Sequence, residues 1–121
     1  MANITISSQA PGSIAERVLT FTSDATPAIN TDLYDVVTIT ALGAAINTMT
    51  SDLSGTPFNF QKLIFRILDD GTARAITWGD SFRDAGVALP STTVISKLLT
   101  VGFIYDTVTS DWGCVAVANE T

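Results

Sequence analysis

The sequence holds 121 residues, 46% apolar and 15% charged, enough for one domain with a core and too apolar for a disordered chain. Six Lys and Arg stand against twelve Asp and Glu, a net charge of −6, which excludes binding to nucleic acid or anionic membrane through clustered basic residues. One cysteine, Cys114, and no histidine exclude an intrachain disulfide, the common zinc sites and Ser-His-Asp or Cys-His catalysis.

Residues 1–16 are rich in Ser, Ala and Gly, with Pro11-Gly12 as a turn signal. Ile4 and Ile6 alternate with polar residues, which reads either as a short strand or as an extended arm that orders on a partner. The segment has neither a charged start nor a continuous apolar run, so no secretion signal is expected. A single folded domain is expected over residues 17–121.

From there the pattern has period two. Val18–Thr22 is a short β-type run, and Ser23–Asn30 reads as loop. Tyr34–Leu42 is rich in β-branched residues and puts Val37, Ile39 and Ala41 on one face. Residues 43–56 hold no sustained pattern, apart from a short stretch at Ala44–Asn47 that is compatible with one helical turn.

Lys62–Leu68 is the next strand. Asp69-Asp70-Gly71 follows as a tight turn, and Thr72–Trp78 is expected to return beside it as a hairpin partner. In that hairpin Arg66 and Arg74 lie side by side. Gly79–Pro90 reads as a long connection with up to one helical turn, and Ser91–Val94 as a short β-type piece.

A second hairpin closes the pattern. Leu98–Tyr105 places Leu99, Val101, Phe103 and Tyr105 on one face, and Thr107–Asp111 supplies the turn. The return strand places Trp112, Cys114, Ala116 and Ala118 on one face, with Val115 and Val117 on the other. Six to eight short strands with turn signals between them point to an all-β fold, a single antiparallel β-sandwich or jelly-roll-like domain with an N-terminal arm.

Candidate chemistry is sparse. Asp69-Asp70 is a conspicuous carboxylate pair, but a turn favours Asp for backbone reasons. Asp69, Asp70, Asp106 and Asp111 all fall near hairpin ends and form the one candidate for an irregular calcium site; no EF-hand loop is present. Cys114 has no basic neighbour in sequence and reads as a buried, inert thiol. Trp78 and Trp112 read as core residues, with a sugar-stacking platform as the alternative. No catalytic, cofactor or metal residues are assigned, and no enzyme activity is expected.

The stretches Tyr34–Thr40, Gln61–Ile67, Asp70–Trp78 and Val101–Asp106, with Trp112 after them, resemble a β-sandwich module of tailed-bacteriophage virion proteins. Such modules occur in capsid decoration (cement) proteins, head fibres and tail-fibre tips. The resemblance implies a structural protein of the virion, made in a host cytoplasm. Its expected partners are the major capsid protein and further copies of itself in a trimer, with no nucleic acid and no membrane. The size favours a decoration protein over a receptor- or carbohydrate-binding fibre tip. Ile4, Ile6 and Ile14 in the arm, with Arg66 and Arg74, are the candidate contact residues.

Overall fold

The computed structural model describes residues 16–120. Residues 1–15 of the arm, and with them Ile4, Ile6 and Ile14, lie outside the described residues. The described chain is all-β, without a helix. Its strands are β1 (Val18–Phe21), β2 (Ile29–Asn30), β3 (Val36–Leu42), β4 (Leu53–Ser54), β5 (Lys62–Asp69), β6 (Phe82–Asp84), β7 (Leu98–Asp106) and β8 (Asp111–Glu120).

Six strands form one sheet in the order β1-β3-β5-β7-β8-β6, and β2 and β4 form a small second pair. The expected antiparallel arrangement holds only for β5–β7 and β7–β8. The pairs β1–β3, β3–β5, β2–β4 and β6–β8 are parallel. Parallel neighbours need a crossover between them. Here the crossovers are extended segments in a facing layer, so the chain coils. A pass through β1, β2 and back to β3 is followed by a pass through Ile46, β4 and back to β5. The passes stack on one another, as in a short solenoid. Ile46 bridges Ile76 in parallel, and the Asn47 and Met49 N–H groups donate to the Ala25 and Thr77 carbonyls.

The expected hairpin across Asp69-Asp70-Gly71 does not form. Both edges of β5 are already occupied, by β3 and β7. The turn itself is present, with Gly71 at φ 101° and its N–H donating to the Asp69 carboxylate at 3.0 Å. It acts as a corner: residues 72–78 leave the sheet, and Ala75 bridges Thr92. Arg66 and Arg74 are therefore not cross-strand neighbours. Arg66 lies on β5 between Thr38 and Thr100.

Two bulges move residues between faces. In β3 the register shifts between Ile39 and Leu42, so Leu42 is buried where Ala41 is expected. In β8 it shifts beside Gly102 and Phe103, leaving Val115 unpaired. Beyond it, Val117 stands opposite buried Val101, while Ala116 and Ala118 stand opposite Gly102 and Thr100 on the outer face. The 79–90 connection carries β6, an edge strand, and no helical turn.

The core lies between the sheet and the facing layer. Phe65, Trp78, Phe82 and Phe103 form a cluster in which every pair of ring centroids lies 4.9–6.0 Å apart, most of them edge to face. Such pairs add about 0.5–1.5 kcal/mol each beyond area burial. The rings come from β5, the facing layer, β6 and β7, so the cluster ties four segments together. The Trp78 indole N–H donates to the Pro90 carbonyl at 2.8 Å, which satisfies its polar atom inside the core.

Asp69 is a buried charge at the corner, 4% exposed. It accepts from the Ser96 N–H at 3.0 Å, the Thr93 hydroxyl at 2.8 Å and the Gly71 N–H. Burial pushes its pKa up, but these donors, with the Arg74 charge, outweigh burial and hold it below the ordinary carboxylate value. The folded value is the lower one. Its stabilisation is therefore present above the unfolded value of about 3.8 and is lost as pH falls through the folded value.

Two outcomes are expected. Phe103→Ala should lower unfolding free energy by about 3–5 kcal/mol in urea denaturation, because it opens a cavity among three other rings. Asp69→Asn should cost about 1–3 kcal/mol near neutral pH, and the difference from the parent should shrink in acid.

Candidate functional site

The strand directions bring one set of loops together. β1, β3, β5, β6 and β8 all start, and β7 ends, at the same end of the sheet. That end carries residues 31–35, 55–61, 80–81 and 107–110. Hydrogen bonds join these loops. The Phe60 N–H donates to the Tyr105 carbonyl at 2.9 Å, the Thr107 N–H to Asn59 Oδ1 at 3.1 Å, and the Thr56 N–H to Asp32 Oδ1 at 2.9 Å.

Among the described residues, five of the eight exposed large apolar side chains lie at this end: Val18, Leu33, Phe58, Phe60 and Val108. Val108 is 90%, Phe60 75% and Phe58 66% exposed. Phe60 has φ 68°, an uncommon backbone state for a bulky residue. It is held there by its N–H bond to Tyr105 and by the Gln61 N–H donating to the Phe58 carbonyl at 3.1 Å. Buried Gln61 anchors the loop from below. Its amide donates to the Thr31 carbonyl at 2.8 Å, and its Oε1 accepts from the Phe58 N–H at 3.2 Å. The two phenyl rings are thus held outward by a built turn.

Between these loops lies a pocket of about 180 Å³, lined by Thr31, Leu53, Ser54, Gly55, Pro57, Ser81, Tyr105, Ser110 and Trp112. Tyr105 and buried Trp112 pack edge to face behind it, 5.1 Å apart. Gly55, at φ 101°, is required: a Cβ there would collide with Thr31 and the Asp32 backbone.

Both arginines at this end are paired with carboxylates. Arg83 meets Asp111 at 2.7 Å and Asp106 at 3.6 Å. Arg17 makes a two-pronged contact with Asp35, at 2.9 and 2.8 Å, and also donates to the Asp32 carbonyl. The hydrogen bond to Arg17 is the largest influence on Asp35, whose pKa is held below its ordinary value. The four carboxylates considered for calcium are split between the two ends of the sheet. Asp69 and Asp70 sit at the far end, where Asp70 is held by Arg74 at 2.8 Å. Among the described residues no three metal-ligating side chains come together.

The remaining sequence candidates fall apart in space. Arg66 is on the outer sheet face, 3.5 Å from Glu120, and Arg74 is at the far end, bound to Asp70. Trp78 and Trp112 are 4% and 2% exposed, so neither offers the surface platform considered as an alternative. Cys114 is buried, and burial pushes its thiol pKa up, away from the reactive thiolate. Phe58 and Phe60 were not among the sequence candidates. Their signal is two phenylalanines, one residue apart, directly after Gly55-Thr56-Pro57, a place where a buried strand cannot run. Comparison of the chain with known protein families, curated proteins and solved structures gives no match.

Phe58→Ser combined with Phe60→Ser should leave the unfolding midpoint nearly unchanged, because neither ring is in the core. The same variant should bind less of a hydrophobic fluorescent dye in the native state. A large drop in stability would show that the rings pack inward.

Proposed function

We propose that the chain is a bacteriophage virion structural protein, most simply a capsid decoration protein that binds the assembled shell as a trimer and stabilises it. The observation that carries this reading is the concentration of outward apolar side chains at one end of an otherwise acidic domain. Grouped exposed apolar residues mark protein–protein contacts. Phe58, Phe60 and Val108 are the groups that a major capsid protein would cover. Binding the assembled shell and not its expanded state lowers the free energy of the former by mass action.

The outer sheet face suits contact between copies. Thr38, Thr100, Gly102, Ala116 and Ala118 make it low in relief, and it also carries Arg66 paired with Glu120. Closed symmetry would repeat that contact three times. On this reading the six-stranded sheet and the facing layer of short segments serve as the two layers of a sandwich-like body. Ile4, Ile6 and Ile14 remain the proposed arm contacts.

The second reading is a receptor-binding tip of a tail or head fibre. The pocket beside the exposed phenylalanines favours it, although the tryptophans first considered for it are in the core.

Quantitative mass spectrometry of purified phage particles separates the two. The decoration reading predicts a copy number of the same order as the major capsid protein. A few copies per particle would move the chain to a fibre, and its absence from particles would overturn the virion assignment.

A further inference from the structure

The pocket at the loop end has a chemical character that the docking role does not use. Its lining contains no charged side chain. Five of the residues that line it carry a hydroxyl: Thr31, Ser54, Ser81, Tyr105 and Ser110. The Thr31 hydroxyl donates to the Ser54 carbonyl at 3.0 Å. Among the described residues, no hydrogen bond engages the side-chain hydroxyls of Ser54, Ser81, Tyr105 or Ser110. Each hydroxyl can donate once and accept twice.

The rest of the lining is Leu53, Gly55, Pro57 and Trp112. The walls are built by backbone that few residues adopt, Gly55 at φ 101° and Ser110 at φ 57°. The Ser81 N–H is spent on Thr50 Oγ1 at 3.2 Å, which fixes that loop from behind. The Trp112 N–H donates to the Ser81 carbonyl at 2.8 Å, which ties it to β8.

From this the geometry points to a binding site for one neutral sugar ring, the terminal hexose of a glycan. A hexose offers hydroxyls that both donate and accept, together with an apolar C–H face. The pocket offers hydroxyl-bearing residues together with Leu53, Pro57 and the Tyr105 ring. The lack of charge disfavours phosphorylated or acidic sugars, whose charge would lose hydration without gaining a cationic partner. The volume of about 180 Å³ falls below the ~300 Å³ of common small-ligand pockets, so it has room for one ring and not for an oligosaccharide. Binding by so few contacts should be weak, with a Kd of about 1 mM or above. The repeated copies of a trimer or a particle would raise it through avidity.

This inference rests on the pocket and not on the virion assignment. Either can fail alone, since copy number in particles and sugar binding by the isolated chain are separate readouts. The test is an NMR titration of the full chain with glucose, galactose, mannose and N-acetylglucosamine, with glycerol as the control polyol. At least one sugar should shift the backbone signals of Gly55, Ser81 and Ser110 and the Trp112 indole signal, saturably. Tyr105→Phe keeps the ring and removes one hydroxyl, and should weaken that binding about three- to tenfold. Ser110→Ala should do the same, and the spectrum of each variant reports whether it is folded. Absence of shifts with all four sugars would overturn the proposal. So would equal shifts with glycerol, shifts confined to other surfaces, or unchanged affinity in both variants.

Discussion

The four-ring cluster of Phe65, Trp78, Phe82 and Phe103 is the contact on which the rest of the fold depends. The chain has no helix among the described residues, no disulfide and only short strands in its second layer. Two-residue pairs such as β2 and β4 supply few backbone hydrogen bonds of their own. Side-chain burial between the layers must therefore hold the facing segments in place. The cluster does this for the segment that leaves β5 at the corner. Trp78 sits in the facing layer, touches rings from β5 and β7, and is oriented by its bond to Pro90.

The coiled connectivity has a consequence for the surface. Parallel stacking of β1, β3 and β5 places their starts at one end, and the β7–β8 turn joins them there. The opposite end is closed by Asp69, which draws the 93–96 loop onto the corner by accepting from the Thr93 hydroxyl and the Ser96 N–H. The two ends thus differ in chemistry. One is a corner held by Asp69 and by the Asp70–Arg74 pair, with Val94 and Ile95 exposed beside it. The other presents Phe58, Phe60 and Val108 around a hydroxylated pocket.

How far the sequence could be read follows from what period two encodes. Alternation at Val37 and Ile39, and from Leu99 to Phe103, reports which side of a strand is buried, and those residues are buried. It does not report the neighbour. Parallel and antiparallel strands have the same alternation, and the usual cue for a parallel crossover, an intervening helix, is missing here. Asp69-Asp70-Gly71 correctly marks a change of direction, yet a corner and a hairpin use the same residues for the same backbone reasons. The β7–β8 hairpin was legible because its strands are long and its turn short. Its Val115 bulge was not, since an extra residue leaves no mark in composition. The exposed pair Phe58 and Phe60 was open to being seen, because aromatic residues in a Gly-Pro loop have no strand to belong to.

Backbone NOEs between strands of the labelled protein test the coiled topology most directly. It predicts contacts between Ile64 and Val36 in the parallel pattern and between Ile67 and Leu99 in the antiparallel pattern. Regular NOEs linking residues 62–68 to residues 72–78 across Asp69-Asp70-Gly71 would contradict it. They would restore a simple hairpin, and with it the loop end and its pocket would be lost.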